Sequence, residues 1–249
     1  MLKKLYDKSK ILFAVMWIVV YCVSMSAGDA LSAQIGMEKA VTLPVGLILS
    51  AVLLCFFRKY ALFAEYGFCR SQTAARPMLY YLPVLLMLSA NLWHGVTVKY
   101  GIAETLLYIL SMFCVGFLEE VIFRGLLFGA MKEENYRAAV IVSAVTFGIG
   151  HIVNLFNGSG AELLSNLLQV IYATAAGFLF VMLYLRTGSL IGCIVIHGIF
   201  NALSVFADEA CVTPGTEIVT CILLTVISGG YALYLACARI PKKTELHTE

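Results

Sequence analysis

The chain has 249 residues, of which 61% are hydrophobic and 13% charged, with a formal net charge of +2. Soluble domains are typically about 45–50% apolar, so this composition and a mean hydropathy of +0.91 point to an integral membrane protein, and the small net charge argues against a nucleic-acid partner. The eight cysteines are scattered, mostly in apolar segments, with no C-x-x-C pair, so they read as small hydrophobes rather than as a disulfide framework or a zinc knuckle.

In chain order, Lys3, Lys4, Lys8 and Lys10 precede an apolar run from Ile11. The run is long and more spans follow, so it reads as an uncleaved first span, not a signal peptide. Eight spans are predicted, at about 11–28, 41–57, 77–93, 102–123, 138–152, 165–185, 189–206 and 216–236. Each must be helical, because lipid offers backbone groups no partners. The predicted fold is therefore all-α and polytopic, with one membrane domain over residues 1–249.

With the N-terminus in the cytoplasm, Lys and Arg at 3, 4, 8, 10, 58, 59, 70, 76, 124, 132, 137, 186, 239, 242 and 243 fall in or beside inner segments, and only Lys39 and Lys99 fall outside. The positive-inside rule then puts both termini in the cytoplasm, and the localisation expected is the plasma membrane of a bacterium. Gly125 with Gly129, and Gly188 with Gly192, have the four-residue spacing that lets helices approach closely. Asn157-Gly158-Ser159 is a formal glycosylation sequon in an outer loop.

The fourth span contains Glu119, Glu120 and Arg124. A charged residue at a helix centre costs about 2.5–3.5 kcal/mol on insertion scales, so such a cluster is a functional hypothesis by default. On a helix, Glu120 and Arg124 are four apart with the acid first, the favourable order for an ion pair, while Glu119 is rotated by about 100°. Glu120 can thus be held ionised by Arg124, leaving Glu119 free to face a cavity as a general base. A buried ion pair that only fixes packing is the plainer alternative.

His151 ends the fifth span, four residues after Phe147, and His197 and Asn201 are four apart in the seventh. Alone, each could be interhelical glue. Three helices with polar groups that would be costly facing lipid are explained more economically by one shared, wet cavity. A carboxylate base, imidazoles and an amide are parts for peptide hydrolysis. Glu119, His151 and His197 are also a His2Glu donor set of the zinc type, although H-E-x-x-H is absent. Water activated by Glu119 directly and water activated on zinc both remain open.

The order E-E-x-x-x-R (Glu119, Glu120, Arg124), F-x-x-x-H (Phe147 to His151) and H-x-x-x-N (His197 to Asn201) resembles the CAAX prenyl protease and bacteriocin-processing family, also called Abi or CPBP, of intramembrane proteases. The resemblance covers a catalytic core at about residues 100–206. It implies eight transmembrane helices around a polar cavity open to the cytoplasm. It also implies Glu119 acting with His151 on the attacking water, His197 and Asn201 contacting the oxyanion, and Glu120 and Arg124 supporting the site. The substrate implied is a membrane-associated peptide or protein, and both metal-dependent and metal-free mechanisms are proposed for the family. A non-enzymatic membrane immunity or scaffold protein, binding a partner through the same cavity, is the alternative reading.

Straight helices with these boundaries would leave Glu119 nearer the inner surface than His151 or His197. The fourth helix is therefore expected to extend well past Arg124 into the KEEN segment or to tilt, and Gly148 and Gly150 to loosen the fifth near His151.

Overall fold

Apolar runs of this length close their backbone hydrogen bonds internally, and the computed structural model, which describes residues 2–73, 81–156 and 162–238, is built from helices. In chain order they are α1 (Leu2–Lys8), α2 (Lys10–Ile35), α3 (Thr42–Lys59), α4 (Tyr81–Ser89), α5 (Ile102–Met131), α6 (Tyr136–Gly150), α7 (Leu163–Thr187), α8 (Leu190–Leu203) and α9 (Pro214–Cys237). The all-α polytopic architecture holds. Among the described residues, α2, α3, α5, α7, α9 and the stretch Tyr136–Leu155 are long and apolar enough to cross a bilayer, whereas Leu82–Leu92 and Leu190–Phe206 are shorter apolar helices. Each of the eight predicted spans thus meets a helix, and among the described residues six of these helices reach crossing length. The start of the 77–93 span, the Asn157-Gly158-Ser159 sequon, Arg76 and the tail with Arg239, Lys242, Lys243 and His247 lie outside the described residues.

Close packing around the motif helices is made by glycines other than the expected pairs. A Cβ on Gly116 of α5 would lie 2.7 Å from the backbone nitrogen of Gly198 in α8, and one on Gly177 of α7 would lie 2.8 Å from the Ala144 carbonyl of α6. Gly125 faces the Tyr66 ring and the Leu190 side chain at the start of α8, Gly129 faces the Tyr66 ring, Gly188 ends α7 in the left-handed region (φ +63°), and nothing lies within 4 Å of a Cβ on Gly192. The four-residue glycine spacing is therefore not what joins these helices. Gly116→Ala is expected to lower stability by about 1–3 kcal/mol through overpacking against backbone that cannot give way. Gly192→Ala is expected to leave stability unchanged, and thermal unfolding of the two purified variants in detergent checks the contrast.

Two ends of the bundle differ in charge. Lys10, Arg58, Lys59, Lys132, Arg137 and Arg186 mark one end, where Arg186 also donates to the last carbonyls of α9 at Leu235 and Ala236. At the other end, among the described residues, the cations are Lys39, paired with Asp29, and Lys99, paired with Glu209. That end also carries an isolated antiparallel bridge, Val96 to Ala207.

Candidate active site

The site is built around a break in helix type. α5 is α-helical to Glu119, and over Glu120–Phe128 it widens to π-helical hydrogen bonding before a last α turn at Gly129–Met131. Such widened turns recur at functional positions because they re-aim side chains without ending the helix. The whole π stretch is buried, and α6 braces it through Ser143, whose hydroxyl donates to the Phe123 carbonyl at 2.8 Å. The helix continues to Met131 and turns over Lys132–Glu134, so it passes Arg124 by seven residues and stops at the edge of the KEEN segment rather than running into it. Glu119 accordingly sits well inside the bundle.

Glu120 and Arg124 are both fully buried and make the expected pair, Nη1 to Oε1 at 2.9 Å. The guanidinium lies over the Phe147 ring (4.1 Å to its centroid) and the Phe180 ring (5.3 Å), so cation–π contact replaces part of its lost hydration. The same Glu120 Oε1 is 2.8 Å from His197 Nδ1. His197 is buried and stacked on Phe180, with ring centroids 5.2 Å apart.

Glu119 has two oxygens in different circumstances. Oε1 accepts a 2.6 Å hydrogen bond from the Tyr21 hydroxyl. Oε2 is buried without a hydrogen-bond partner, with His197 Nε2 3.4 Å away. His197 therefore stands between the two glutamates, within ion-pairing distance of each.

α6 ends at Gly150, and His151 opens a 3-10 turn that runs to Leu155. Gly148 does not loosen this helix. It is the point of closest approach to α7, where a Cβ would come within 2.8 Å of the Thr174 nitrogen. The 3-10 turn begins at His151, whose carbonyl accepts from Asn166 Nδ2 at 2.8 Å and whose ring meets Phe147 edge-on.

These groups surround a cavity of about 480 Å³ whose wall includes Tyr21, Glu119, Phe147, His151 and Asn201. A side chamber of about 50 Å³ adjoins it, bordered by His151, His197, Asn201, Phe180, Met87 and Leu224. All six motif residues are thus assembled from α5, α8 and the α6 terminus. Sequence reasoning missed Tyr21 and Asn166. A tyrosine within an aliphatic span, one of 13 in the chain, carries no local pattern that marks it as a partner of a residue 98 positions away.

Residues 101–203 match the family described as Type II CAAX prenyl endopeptidase Rce1-like. The chain is also 35% identical over 104 residues to the Bacillus subtilis (strain 168) protein named "Putative membrane peptidase YdiL", a match covering 41% of this chain and 37% of the relative. The Rce1-like segment contains Glu119, Glu120, Arg124, His151, His197 and Asn201, while Tyr21 lies outside it.

Among the described residues, no three His, Cys, Asp or Glu side chains converge as a metal centre would require. Glu119 and His197 Nε2 bring two donors together, with His197 Nδ1 held by Glu120. Glu119, His151 and His197 are not drawn together as a three-donor set, and no step below runs through a metal.

The two expectations about sidedness do not fit one structure. The cavity extends from Glu119 toward Asp29, Lys39 and Glu209, at the end opposite Lys10 and Lys59. Basic termini in the cytoplasm and a cavity open to the cytoplasm are therefore incompatible here.

Proposed function

We propose that this chain is an intramembrane endopeptidase that hydrolyses a peptide bond of a membrane-associated peptide or protein, with Glu119 as the base that activates water. The observation that supports it most is the state of one oxygen. Glu119 borders the cavity, its Oε2 has no hydrogen-bond partner, and Tyr21 occupies Oε1. A buried acceptor without a partner is costly, and a water molecule admitted from the cavity by a small turn of the carboxylate would satisfy it.

In the proposed step, Oε2 takes a proton from that water as the water oxygen attacks the carbonyl carbon and the C=O electron pair moves onto oxygen. The His197 tautomer follows from its neighbours. Glu120 Oε1 already accepts from Arg124, so the Nδ1 facing it carries hydrogen. A neutral ring then turns the Nε2 lone pair toward Glu119 Oε2, 3.4 Å away. The proton gained by Oε2 can pass to Nε2 and on to the leaving nitrogen as the C–N bond breaks. Asn201, one helical turn beyond His197 and on the walls of both cavities, supplies an amide for the oxyanion, with His151 beside the water. Glu120 and Arg124 hold His197 in register, a supporting role of the kind that fixes imidazole orientation.

The test uses protein purified and reconstituted in liposomes with a library of lipid-tethered peptides. Cleavage by the native chain and none by folded Glu119→Gln is the expected result, and equal cleavage by both would overturn the assignment. Hydrolysis is expected to survive exhaustive chelation, and loss of activity that zinc restores would contradict the metal-free step. Tyr21→Phe is expected to lower kcat by roughly ten- to a hundredfold with KM little changed, since a hydrogen bond to a charged group contributes about 1.5–3 kcal/mol. Steady-state kinetics separates the two constants.

A further inference from the structure

We infer that the catalytic cavity is entered from the non-cytoplasmic side of the membrane, and that its substrate is a polypeptide segment presented at that surface. The inference rests on the peptidase reading for the word substrate, but the direction of access stands on three separate observations.

First, the cavity has a direction. From Tyr21, which holds Glu119, its lining follows α2 through Cys22, Met25 and Ser26 to Asp29. The eight helical steps from Tyr21 to Asp29 span roughly 12 Å. The lining ends at charged groups, Asp29, Lys39 and the exposed Glu209. All three belong to the end at which α2 stops and α3, α5 and α7 begin.

Second, the opposite end is plugged. Residues 60–73 fold back beneath the π-helical stretch and are tied down by Leu190 N to Gly67 O at 2.8 Å and Gln72 N to Thr187 O at 2.7 Å. Tyr66, buried in that segment, stacks on Phe57 and faces Gly125 and Gly129. Its hydroxyl bonds that of Tyr6, and Glu65 beside it pairs with Lys10. A peptide approaching from this end meets packed aromatic rings.

Third, charge orients the bundle. The plugged end carries Lys10, Arg58, Lys59, Lys132, Arg137 and Arg186, whereas the cations at the cavity end, among the described residues, are Lys39 and Lys99, each already paired with a carboxylate. Cytoplasmic ends of membrane helices hold the excess of Lys and Arg. The plugged end is therefore cytoplasmic and the mouth is not. An exported polypeptide, or the outer end of a membrane-spanning one, can reach Glu119, and a cytoplasmic tail cannot.

Native cysteines allow the test in whole cells expressing the full chain. Cys211 is exposed at the mouth end, after Asp208 and Glu209, and Cys237 is exposed at the plugged end, where α9 stops. The Asp208 carboxylate accepts from the Cys211 thiol and holds it above its ordinary range, so labelling is done at mildly alkaline pH. With a membrane-impermeant sulfonated maleimide and peptide mapping by mass spectrometry, Cys211 is expected to be modified in intact cells and Cys237 only after permeabilisation. The Ser26→Cys variant, at a cavity-wall position, is expected to react from outside with a small impermeant methanethiosulfonate. Modification of Cys237 but not Cys211 in intact cells would overturn the orientation. Reaction of Ser26→Cys in inverted vesicles but not in intact cells would overturn the direction of access. Neither readout depends on hydrolysis, so an inactive protein with the expected labelling counts against the peptidase reading alone.

Discussion

Glu120→Met is expected to lower stability by about 3–5 kcal/mol, the range seen when one partner of a buried ion pair is removed and the other is left uncompensated. Arg124 is fully buried, and its Nε already lacks a hydrogen-bond partner. Without Glu120 the guanidinium would keep its contacts with Phe147 and Phe180 and a long bond, 3.4 Å, to the Gly177 carbonyl. The double variant Glu120→Met/Arg124→Met is expected to recover most of the lost stability, because two apolar side chains of similar bulk leave no buried charge. It is not expected to recover activity, since His197 Nδ1 loses the carboxylate that orients it. Thermal unfolding of the two single variants and the double variant in detergent gives the coupling. Additive losses would show that the pair is not the structural unit described here.

The second large effect concerns chemistry alone. Glu119→Gln keeps an oxygen that can accept from Tyr21 and removes the base at Oε2. General-base catalysis contributes typically about 10²–10⁴-fold, so kcat is expected to fall by that factor while the unfolding temperature stays near that of the native chain. A variant that lost stability and activity together would place Glu119 with the structural pair. The contrast between neighbours one residue apart follows from geometry. Glu120 has both its Arg124 and His197 contacts on one oxygen inside the packed core, whereas Glu119 is 8% exposed and borders the cavity.

Much of this was legible in the sequence because lipid is an unforgiving solvent. Length and hydropathy located the helices, and the cost of Glu119, Glu120 and Arg124 in an apolar run marked the site. The Glu120–Arg124 pair was predicted from four-residue spacing on an α-helix and formed at 2.9 Å although the backbone there is π-helical. Long-range geometry was not legible. No local pattern says that His197 lies between two carboxylates, that Tyr21 of α2 reaches Glu119, or that Asn166 of α7 anchors the turn at His151. Gly188 and Gly192 match a packing motif by spacing, but a left-handed helix end and an open surface account for them. The direction of the cavity likewise emerges only once α2, α5 and residues 60–73 are seen together.

Cleavage of polypeptides in the membrane, with Glu119 as the base, is the proposal from which the other predictions follow. It is tested most directly by mass spectrometry of membrane-protein and released-peptide termini in cells carrying the native chain or an equally expressed Glu119→Gln chain. A defined set of new termini that disappears with the substitution, mapping to segments on the non-cytoplasmic side, is the predicted result. Identical termini in both cell lines, with the protein folded and present in the membrane, would contradict the account.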